Sequence, residues 1–353
     1  MSRVQTVTGP VAPGELGITL THEHILINLL PFTEAPKNAG DLALWNGKIS
    51  LGNLAAVRSD PGRIRENNVL DDEEVAAEEL MEFVNLGGRS VVDVTPEGIG
   101  RDALGLRRIA KRTGLNIIAA TGWYQRPSHP AVVKKSSPDE LAAIIRRELV
   151  EGIGRSGIRA GVIKGACGGP PIPWHPEEKK VLTAACRAQK ATGAPFTFHP
   201  LDIDVGRRTR VTVADAYVDL IEKEGAAKEK FYLSHADDTC YDIEYHKRLM
   251  DRGITLNYDC FGSEVYWELT YIGCRNPSDA ERVDAIVELC SQGYEKQIML
   301  SHDICRKDRY RRYGGYTFSH ILERIVPRLR ERGVTQSQVR AMLEDNPRRV
   351  FPY

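Results

Sequence analysis

The sequence lacks three features that would point to a nucleic-acid-binding, secreted or membrane-spanning protein. Its 48 Lys and Arg residues balance its 48 Asp and Glu residues, so there is no excess positive charge for binding nucleic acid. None of the 7 cysteines forms a CxxC pair, which disfavours a thiolate zinc site and a disulfide scaffold. No run of about 18 apolar residues occurs, and the N-terminus has no apolar signal segment. We therefore expect a cytoplasmic protein that partners neither nucleic acid nor membrane.

Short apolar runs alternate with longer amphipathic stretches along the chain. The runs predict β-strands over residues 18–25, 90–95, 116–122, 160–166, 195–200, 230–235, 254–259 and 297–303. Most are apolar on both faces in their first half, which is typical of strands buried on both sides of a parallel sheet. The stretches between them have helical patterns, and one shows Ser137 as a candidate N-cap followed by Pro138 at the first helical position.

This alternation predicts a (β/α)8 TIM barrel formed by a single domain over residues 1–353. The alternative is an open, doubly wound sheet, although no GxGxxG motif follows the first strand. The gap between the first two strands, residues 26–89, is too long for one helix. Within it, residues 30–70 are rich in Gly, Pro, Asn and Asp. We expect this insertion to consist of loops and short pieces, and to act as a lid or as the contact of a homodimer.

Six side chains that suit metal binding fall near the ends of the predicted strands. They are His22 and His24 in the first strand, Lys164 in the fourth, His199 in the fifth, His235 in the sixth and Asp303 in the eighth. In a barrel these strand ends meet at one mouth, where active sites are found. Six such groups would be costly to bury without a ligand, and they are too many for one four-coordinate ion. They suit two divalent ions, of Zn, Co, Mn or Fe, bridged by a hydroxide that acts as the nucleophile.

Lys164 raises a separate question, because a lysine ammonium has donors and no acceptor and cannot bind a metal. Carboxylation by CO2 would convert it into a carbamate that bridges two ions as a carboxylate does. Two other interpretations stay open at this point. Lys164 could be a buried ion-pair partner, or it could form the Schiff base of an aldolase, which would leave the four histidines without a role.

In their order along the chain, these motifs resemble the phosphotriesterase family of the amidohydrolase superfamily. The residues that carry the resemblance are THEHI at 21–25, AGVIKGA at 160–166, FHP at 198–200, SHADDT at 234–239 and SHD at 301–303. Other segments match as well, among them VVDVTPEGIGRD at 91–102 and DRGITLNYDCFG at 251–262. The resemblance covers nearly the whole chain, and it implies a barrel with two metal ions.

The resemblance also implies a role for each matched residue. By motif, His22, His24, carboxylated Lys164 and Asp303 would hold a buried ion, and Lys164, His199 and His235 a more exposed one. Asp303 would in addition take the proton of the bridging hydroxide as it attacks. Asp238 matches a carboxylate of the family's proton relay, although a turn or N-cap aspartate fits its position equally well. Zinc is the expected metal, with Co, Mn and Fe as alternatives.

Two positions near the predicted mouth, Cys260 and Tyr124, bear on how a substrate would be bound. Cys260 follows Asp259 where the family often has arginine or histidine, which puts the proton relay and a lactone-recognising arginine in doubt. Cys260 could contact substrate as part of the pocket wall, or act as a nucleophile, although no histidine obviously pairs with it. Tyr124 matches an aromatic residue near the metals in related lactonases. It could hydrogen-bond the bridging hydroxide or the substrate, or simply pack at the rim.

The loop after the last predicted strand is strongly basic. Residues 304–313 carry five Lys and Arg residues against Asp308 alone. We hypothesise that this loop, with Arg306 as its candidate substrate contact, attracts an anionic or strongly polar substrate. The alternative is a solvated loop or a subunit contact.

These inferences predict a metal-dependent hydrolase that acts on a small molecule. The leading substrate class is a carboxylic ester, foremost a lactone, with phosphotriester hydrolysis as a side reaction. An amide or carbamate hydrolase that uses the same metal site is the alternative within hydrolases. The remote alternative is a binding protein that keeps the shape of the family without its metals.

Overall fold

The computed structural model describes residues 2–168, 174–200, 208–267 and 274–353. Within these ranges, eight parallel strands form a nearly closed barrel in which each strand pairs with its neighbours in chain order. They are β1 (Ile18–Glu23), β2 (Gly88–Asp93), β3 (Asn116–Gly122), β4 (Val162–Ala166), β5 (Phe196–His199), β6 (Phe231–Leu233), β7 (Thr255–Tyr258) and β8 (Ile298–Leu300). All eight overlap the predicted runs, so the (β/α)8 barrel is confirmed and the open doubly wound sheet is wrong.

Hydrogen bonds between the ends of β1 and β8 bring the first and last strands of the barrel together. The backbone N–H of Asp303 donates to the carbonyl oxygen of His22 at 3.1 Å. The carboxylate of Glu23 is fully buried and accepts from the Ser301 hydroxyl at 2.7 Å and from the Ile304 N–H at 2.9 Å. A buried carboxylate is stable only with such donors, so Glu23 holds the chain after β8 against β1.

A helix follows each barrel strand. The helices are α1 (Glu73–Asn85), α2 (Ala103–Thr113), α3 (Pro138–Val150), α4 (Pro176–Thr192), α5 (Arg208–Glu224), α6 (Ile243–Asp251), α7 (Asp279–Ser291) and α8 (Val326–Glu331). Ser137 caps α3 and forms a capping box with Glu140, with Pro138 at the start of the helix as predicted. Among the described residues, no helix has the length and apolarity that a bilayer crossing requires.

The interior of the barrel contains its own apolar cluster. Val92, Ile118, Val162 and Met299 come from four different strands and are fully buried together. Phe351, near the end of the chain, belongs to the same cluster, which therefore joins the interior to the terminal segment. Because these apolar side chains fill the barrel, the polar groups at the strand ends are left to the mouth, where barrel enzymes carry their active sites.

The insertion between β1 and β2 consists of short pieces, as predicted for residues 30–70. Two short helices, Ala39–Trp45 and Leu54–Ser59, are followed by the 3-10 turns Pro61–Arg63 and Arg65–Asn68. At its base, Ile27–Asn28 pairs antiparallel with Val69–Leu70. The Asn67 amide donates to the Asp308 carboxylate at 2.7 Å, and the Asp308 N–H donates back to the Asn67 oxygen at 2.8 Å. The insertion is thereby attached to the loop after β8, at the mouth of the barrel.

Candidate metal centre and substrate cavity

The six side chains predicted as metal ligands lie at the mouth formed by the carboxyl ends of five strands. His22 is in β1 and His24 directly follows it, Lys164 is in β4, His199 ends β5, His235 follows β6, and Asp303 follows β8. Asp303 is partly exposed, and the other five are buried. Residues up to 281 positions apart in the sequence therefore meet at one place, as the sequence predicts.

Two of these residues have a backbone conformation that is rare for their type. His235 has φ of 53° and Asp303 has φ of 52°, and Thr317 is the one other non-glycine residue with positive φ in the described ranges. The left-handed region costs a residue with a Cβ about 1–2 kcal/mol. Such strain persists only where the surrounding structure imposes it, and it is concentrated at functional sites.

The nitrogen and oxygen atoms that face one another in this cluster are close. His199 Nδ1 lies 2.8 Å from His235 Nε2. His22 Nε2 lies 3.3 Å from Lys164 Nζ and 3.5 Å from Asp303 Oδ1. His24 Nε2 lies 3.2 Å from the same carboxylate oxygen of Asp303. Four imidazoles, one amine and one carboxylate therefore point inward to a common centre.

In three of the four imidazoles, the nitrogen opposite the cluster has a polar neighbour that orients the ring. Asp259 lies 2.6 Å from His22 Nδ1 and 2.8 Å from His235 Nδ1, so one carboxylate holds two rings. The Thr95 hydroxyl lies 2.7 Å from His24 Nδ1. Neighbours of this kind fix the tautomer and direction of metal-binding histidines in metalloproteins. The arrangement leaves the inward-facing nitrogens as acceptors, which is what a cation requires.

The protonation states fit a cation site. Burial, followed by the charge of Lys164, lowers the pKa of His22 to about 3, so this imidazole is neutral near pH 7. Burial would raise the pKa of Asp303, but its hydrogen bond with His24 and the neighbouring His235 and His22 outweigh burial and hold the pKa well below its usual value. Neutral imidazole and ionised carboxylate are the ligands that Zn and its neighbours in the periodic table prefer. The donor set therefore fits two divalent cations.

Tyr124 reaches the cluster from the end of β3. Its hydroxyl lies 3.0 Å from His199 Nε2 and 3.3 Å from His199 Nδ1, a contact with a predicted ligand that the sequence did not indicate. The turn before it depends on Gly122, which has φ of 104° and whose Cβ would meet the Lys164 carbonyl oxygen at 2.1 Å. Only glycine permits this approach of β3 to β4. The rim-packing interpretation of Tyr124 is thus incomplete, since its hydroxyl contacts the cluster.

Asp238 lies in the wall of the mouth and does not cap a helix. It belongs to the 3-10 turn Ala236–Thr239, and its carboxylate accepts from the Asn276 amide at 3.3 Å. The N-cap of α6 is Asp242, whose side chain accepts from the Tyr245 N–H. Of the two structural interpretations of Asp238, the turn is confirmed and the N-cap is wrong.

Cys260 lies closer to a histidine than the sequence suggested. Its Sγ is 3.4 Å from His235 Nδ1, the nitrogen that is already held by Asp259. Burial raises the pKa of the Cys260 thiol well above its usual value, and the neighbouring Asp237 adds to the rise. A nucleophilic cysteine needs a lowered pKa and a free base, so the geometry favours Cys260 as part of the cavity wall.

A second buried network, which the sequence analysis missed, supports the loop after β7. The carboxylate of Asp237 accepts from the N–H groups of Asp259 and Cys260 at 3.1 Å each. Arg282 of α7 pairs with it at 2.6 Å, and both side chains are fully buried. The motif HADDT drew attention to Asp238, whereas its neighbour Asp237 holds Asp259 in position. The sequence offered one hint of this network, namely that HADDT contains two adjacent acids, Asp237 and Asp238.

A cavity of about 130 Å³ opens beside the cluster. His24, His199, His235 and Asp303 form one part of its lining, together with Tyr124, Asp238 and Cys260. The insertion contributes Phe32 and Pro61 to the wall, and Leu29 directly before it adds another apolar side chain. The insertion therefore covers part of the mouth, and the size of the cavity suits a compact small molecule.

Only part of the basic loop after β8 reaches this cavity. Arg306 and Arg309 line it. Lys307 instead lies 3.4 Å from Glu66, Arg311 lies 2.7 Å from Glu323, and Arg312 lies 3.8 Å from Glu78. The loop is thus divided between surface ion pairs and two arginines at the mouth, which the sequence could not distinguish.

Comparison with known proteins agrees with this geometry. The model of the phosphotriesterase family matches residues 2–351. The chain belongs to the phosphotriesterase family. It is 36% identical to an N-acetyltaurine hydrolase of Danio rerio, over 99% of this chain and 98% of the relative. Members of this family are binuclear metal enzymes, and this protein is a hydrolase.

Solved structures of the family share the fold. A resiniferatoxin-binding protein from Rhodobacter sphaeroides has a TM-score of 0.93 and 34% identity, covering 99% of this chain and 95% of that one. A lactonase from Listeria monocytogenes has a TM-score of 0.77 and 26% identity, covering 99% of both chains. The relatives therefore include proteins named for an amide substrate, for a lactone substrate and for a bound ligand. Membership of the family alone does not identify the substrate of this protein.

Proposed function

We propose that this protein is a metal-dependent amide hydrolase whose substrate is a small N-acylated amino acid or amino sulfonate, the class that includes N-acetyltaurine. The observation that carries the proposal is the convergence of four imidazoles, Lys164 and Asp303 beside a cavity of about 130 Å³. The substrate class is supported by the end-to-end match to N-acetyltaurine hydrolases. This choice departs from the lactone expected from the sequence and adopts the amide that was its alternative.

The donor set divides naturally between two cations. His22, His24, Asp303 and a carboxylated Lys164 would hold one, and Lys164, His199 and His235 would hold the other. When bound, such cations supply Lewis acidity, which lowers the pKa of a water molecule and polarises a carbonyl group. Zinc suits imidazole and carboxylate ligands, and Co, Mn and Fe are the alternatives.

Lys164 would contribute as a carbamate. Its side chain is fully buried, with Nζ 3.3 Å from His22 Nε2. An ammonium at this place offers only donors to a centre that needs anionic oxygen. Addition of CO2 to the neutral amine forms an N–C bond, releases one proton and yields two carboxylate-like oxygens. Incorporation of 13C from labelled bicarbonate, followed by NMR of the carbamate carbon, tests this step.

Asp303 would handle the proton of the reaction. Its carboxylate is ionised and partly exposed to the cavity, so it can accept a proton from the attacking water. Amide cleavage also requires a proton on the leaving nitrogen, and Asp303 can return the same proton there. Asp238 lines the same cavity and supplies a second carboxylate, which can pass to solvent the separate proton that the next water would release before another turnover.

The remaining walls would orient the substrate. Ile27, Leu29 and Ile99 form an apolar surface near the predicted ligands, suited to a short acyl group. Tyr124 can donate its hydroxyl to a substrate oxygen when it turns from His199. Together these contacts favour a short acyl chain over a long one.

Lactone hydrolysis is the second candidate, and the structural similarity to the Listeria lactonase favours it. The attack on a carbonyl carbon is the same in both reactions, but a lactone needs no protonated amine as leaving group. Against this candidate stands Cys260, which occupies the position where the resemblance implies a lactone-recognising arginine. Phosphotriester hydrolysis would then be a side reaction of the same centre.

The test is a substrate panel with the metal-loaded protein. Release of amine from N-acetyltaurine and N-acetyl amino acids is compared with opening of γ- and δ-lactones and with cleavage of a phosphotriester. We expect the highest kcat/KM with an N-acetylated substrate, and loss of turnover after chelation and in Asp303→Asn. Preferred turnover of a lactone would select the second candidate. Failure to bind metal after supplementation would instead favour the binding-protein alternative.

A further inference from the structure

Two arginines of the loop after β8 differ from the other basic residues of that loop in what they contact. Lys307, Arg311 and Arg312 each have a glutamate partner that does not line the cavity. Arg309 lies within 4.0 Å of no carboxylate in the described ranges, and its Nη2 donates to the carbonyl oxygen of Phe261 at 2.9 Å. One guanidinium edge is thus fixed by the backbone, while the residue lines the cavity.

Arg306 is held from the other side of the mouth. Its Nε lies 3.3 Å from the Asn68 amide oxygen, and Asn68 is itself fixed by donating to the Ile64 carbonyl oxygen at 2.9 Å. The insertion therefore helps to hold Arg306 at the cavity wall. The contact of Arg309 uses a neutral acceptor, the Phe261 carbonyl oxygen, so it does not neutralise the charge of that guanidinium.

The carboxylates of the same cavity have other partners. Asp303 lies beside His24, Asp308 accepts from the Asn67 amide, and Asp238 accepts from the Asn276 amide. The cavity thus combines a centre for cations with a wall that carries two guanidinium groups and the Asp308 carboxylate, which is held by the insertion. A guanidinium presents a planar fork of donors that matches the oxygens of a carboxylate or sulfonate.

We propose that Arg309, with Arg306, forms the subsite for the anionic end of the substrate, a sulfonate or carboxylate a few bonds from the scissile amide. The proposal rests on the proposed function and deepens it, since it says why an acidic N-acyl compound would be chosen over a neutral one. An anion in a partly buried cavity interacts with a guanidinium more strongly than in open water. Arg309 is the main contact, because the backbone holds it and no described carboxylate neutralises it.

The experiment compares substrates that differ only in charge. N-acetyltaurine and N-acetyl-β-alanine carry an anion where N-acetylethanolamine carries a hydroxyl, and all three share the acetyl amide. We expect Arg309→Gln to reduce the ratio of kcat/KM for N-acetyltaurine over N-acetylethanolamine roughly 10- to 100-fold, mainly through KM. Arg306→Gln should reduce this ratio less than Arg309→Gln does. Arg309→Lys should keep more of the ratio than Arg309→Gln, because it keeps the positive charge. Arg311→Gln is the matched control from the same loop and should leave the ratio unchanged.

Two results would overturn the subsite. One is an unchanged ratio in Arg309→Gln, and the other is a loss equal for the charged and neutral substrates. Binding of 1-propanesulfonate, measured by calorimetry on the metal-loaded protein, separates this proposal from the proposed function. If the wild type hydrolyses none of the three amides, the proposed function fails. Sulfonate binding that weakens at least tenfold in Arg309→Gln would still support the subsite, and no binding to the wild type would refute it.

Discussion

Asp259 offers the sharpest test of the metal centre, because one buried carboxylate holds two of the predicted ligands. It lies 2.6 Å from His22 Nδ1 and 2.8 Å from His235 Nδ1. In Asp259→Asn the side chain keeps its shape, but its amide has one oxygen and one NH2 group. The amide oxygen can accept a hydrogen bond from one imidazole N–H. The NH2 group then faces the N–H of the other imidazole, so two donors oppose each other there.

The expected losses of stability and of metal affinity follow from these two contacts. A hydrogen bond to a charged group contributes about 1.5–3 kcal/mol, and the substitution leaves one such contact broken and the other without its charge. We expect the metal-free protein to lose about 3 kcal/mol of unfolding free energy, the lower end for a broken buried pair. Loss of a neighbour that orients a ligand typically weakens metal affinity roughly 10- to 100-fold. Asp259→Asn should show a loss of this size.

The assay is a competition titration of zinc against a chelator, combined with urea unfolding of the metal-free protein. Glu148→Gln is the matched control, since Glu148 of α3 pairs at 2.6 Å with Arg101 of the loop between β2 and α2, and neither residue belongs to the cluster of predicted ligands. We expect the control to lose stability and to keep its metal affinity. Wild-type zinc affinity in Asp259→Asn would refute the inference that this carboxylate orients the two imidazoles.

Three further predictions test other parts of the structure. Lys164→Ala should lose the metals and the activity, and a short carboxylic acid such as acetate or propionate should restore part of both. Metal content and turnover measure the two effects. Full metal content in the variant without added acid would argue against a carbamate. Asp303→Asn should lose most of kcat, because it removes the predicted proton acceptor. Its unfolding free energy should stay within about 1–2 kcal/mol of the wild type, because the barrel is unchanged. Unimpaired turnover would contradict this role of Asp303. Burial lowers the pKa of His246 from 6.5 to about 4. The unfolded chain therefore binds a proton below pH 6.5 that the folded chain does not, and the metal-free protein should lose up to about 1.4 kcal/mol per pH unit down to about pH 4. His246→Gln should flatten that slope in urea unfolding measured from pH 7 to pH 4.5, and an unchanged slope would count against this pKa.

The position of the predicted ligands was readable from the sequence for a physical reason. Alternation of apolar strands and amphipathic helices defines a barrel, and a barrel brings the carboxyl ends of its strands to one mouth. His199 and His235 could be assigned to this mouth because each follows an apolar run, without knowledge of any contact between them. The same reasoning placed Asp303 and Lys164 there.

The sequence could not show which basic residues of the loop after β8 line the cavity and which form ion pairs elsewhere. Arg309 and Arg311 are two residues apart, yet one lines the cavity and the other pairs with Glu323. The difference depends on where Phe261 of the loop after β7 and Glu323 of the helical turn Ile321–Ile325 lie against the loop after β8, which no local pattern encodes. The proposed subsite for an anion rests on this difference, so it required the folded chain.

The sequence by itself determined the barrel, the six side chains that meet at its mouth and the short pieces of the insertion, because each depends on periodicity and on position along a strand. The tertiary structure alone decided that Asp259 joins His22 to His235 and that Asp237 and Arg282 support it. It also decided that Tyr124 contacts His199 and that Asp238 does not cap a helix. These contacts join residues of different strands, loops and helices, and their existence depends on the register in which the barrel closes.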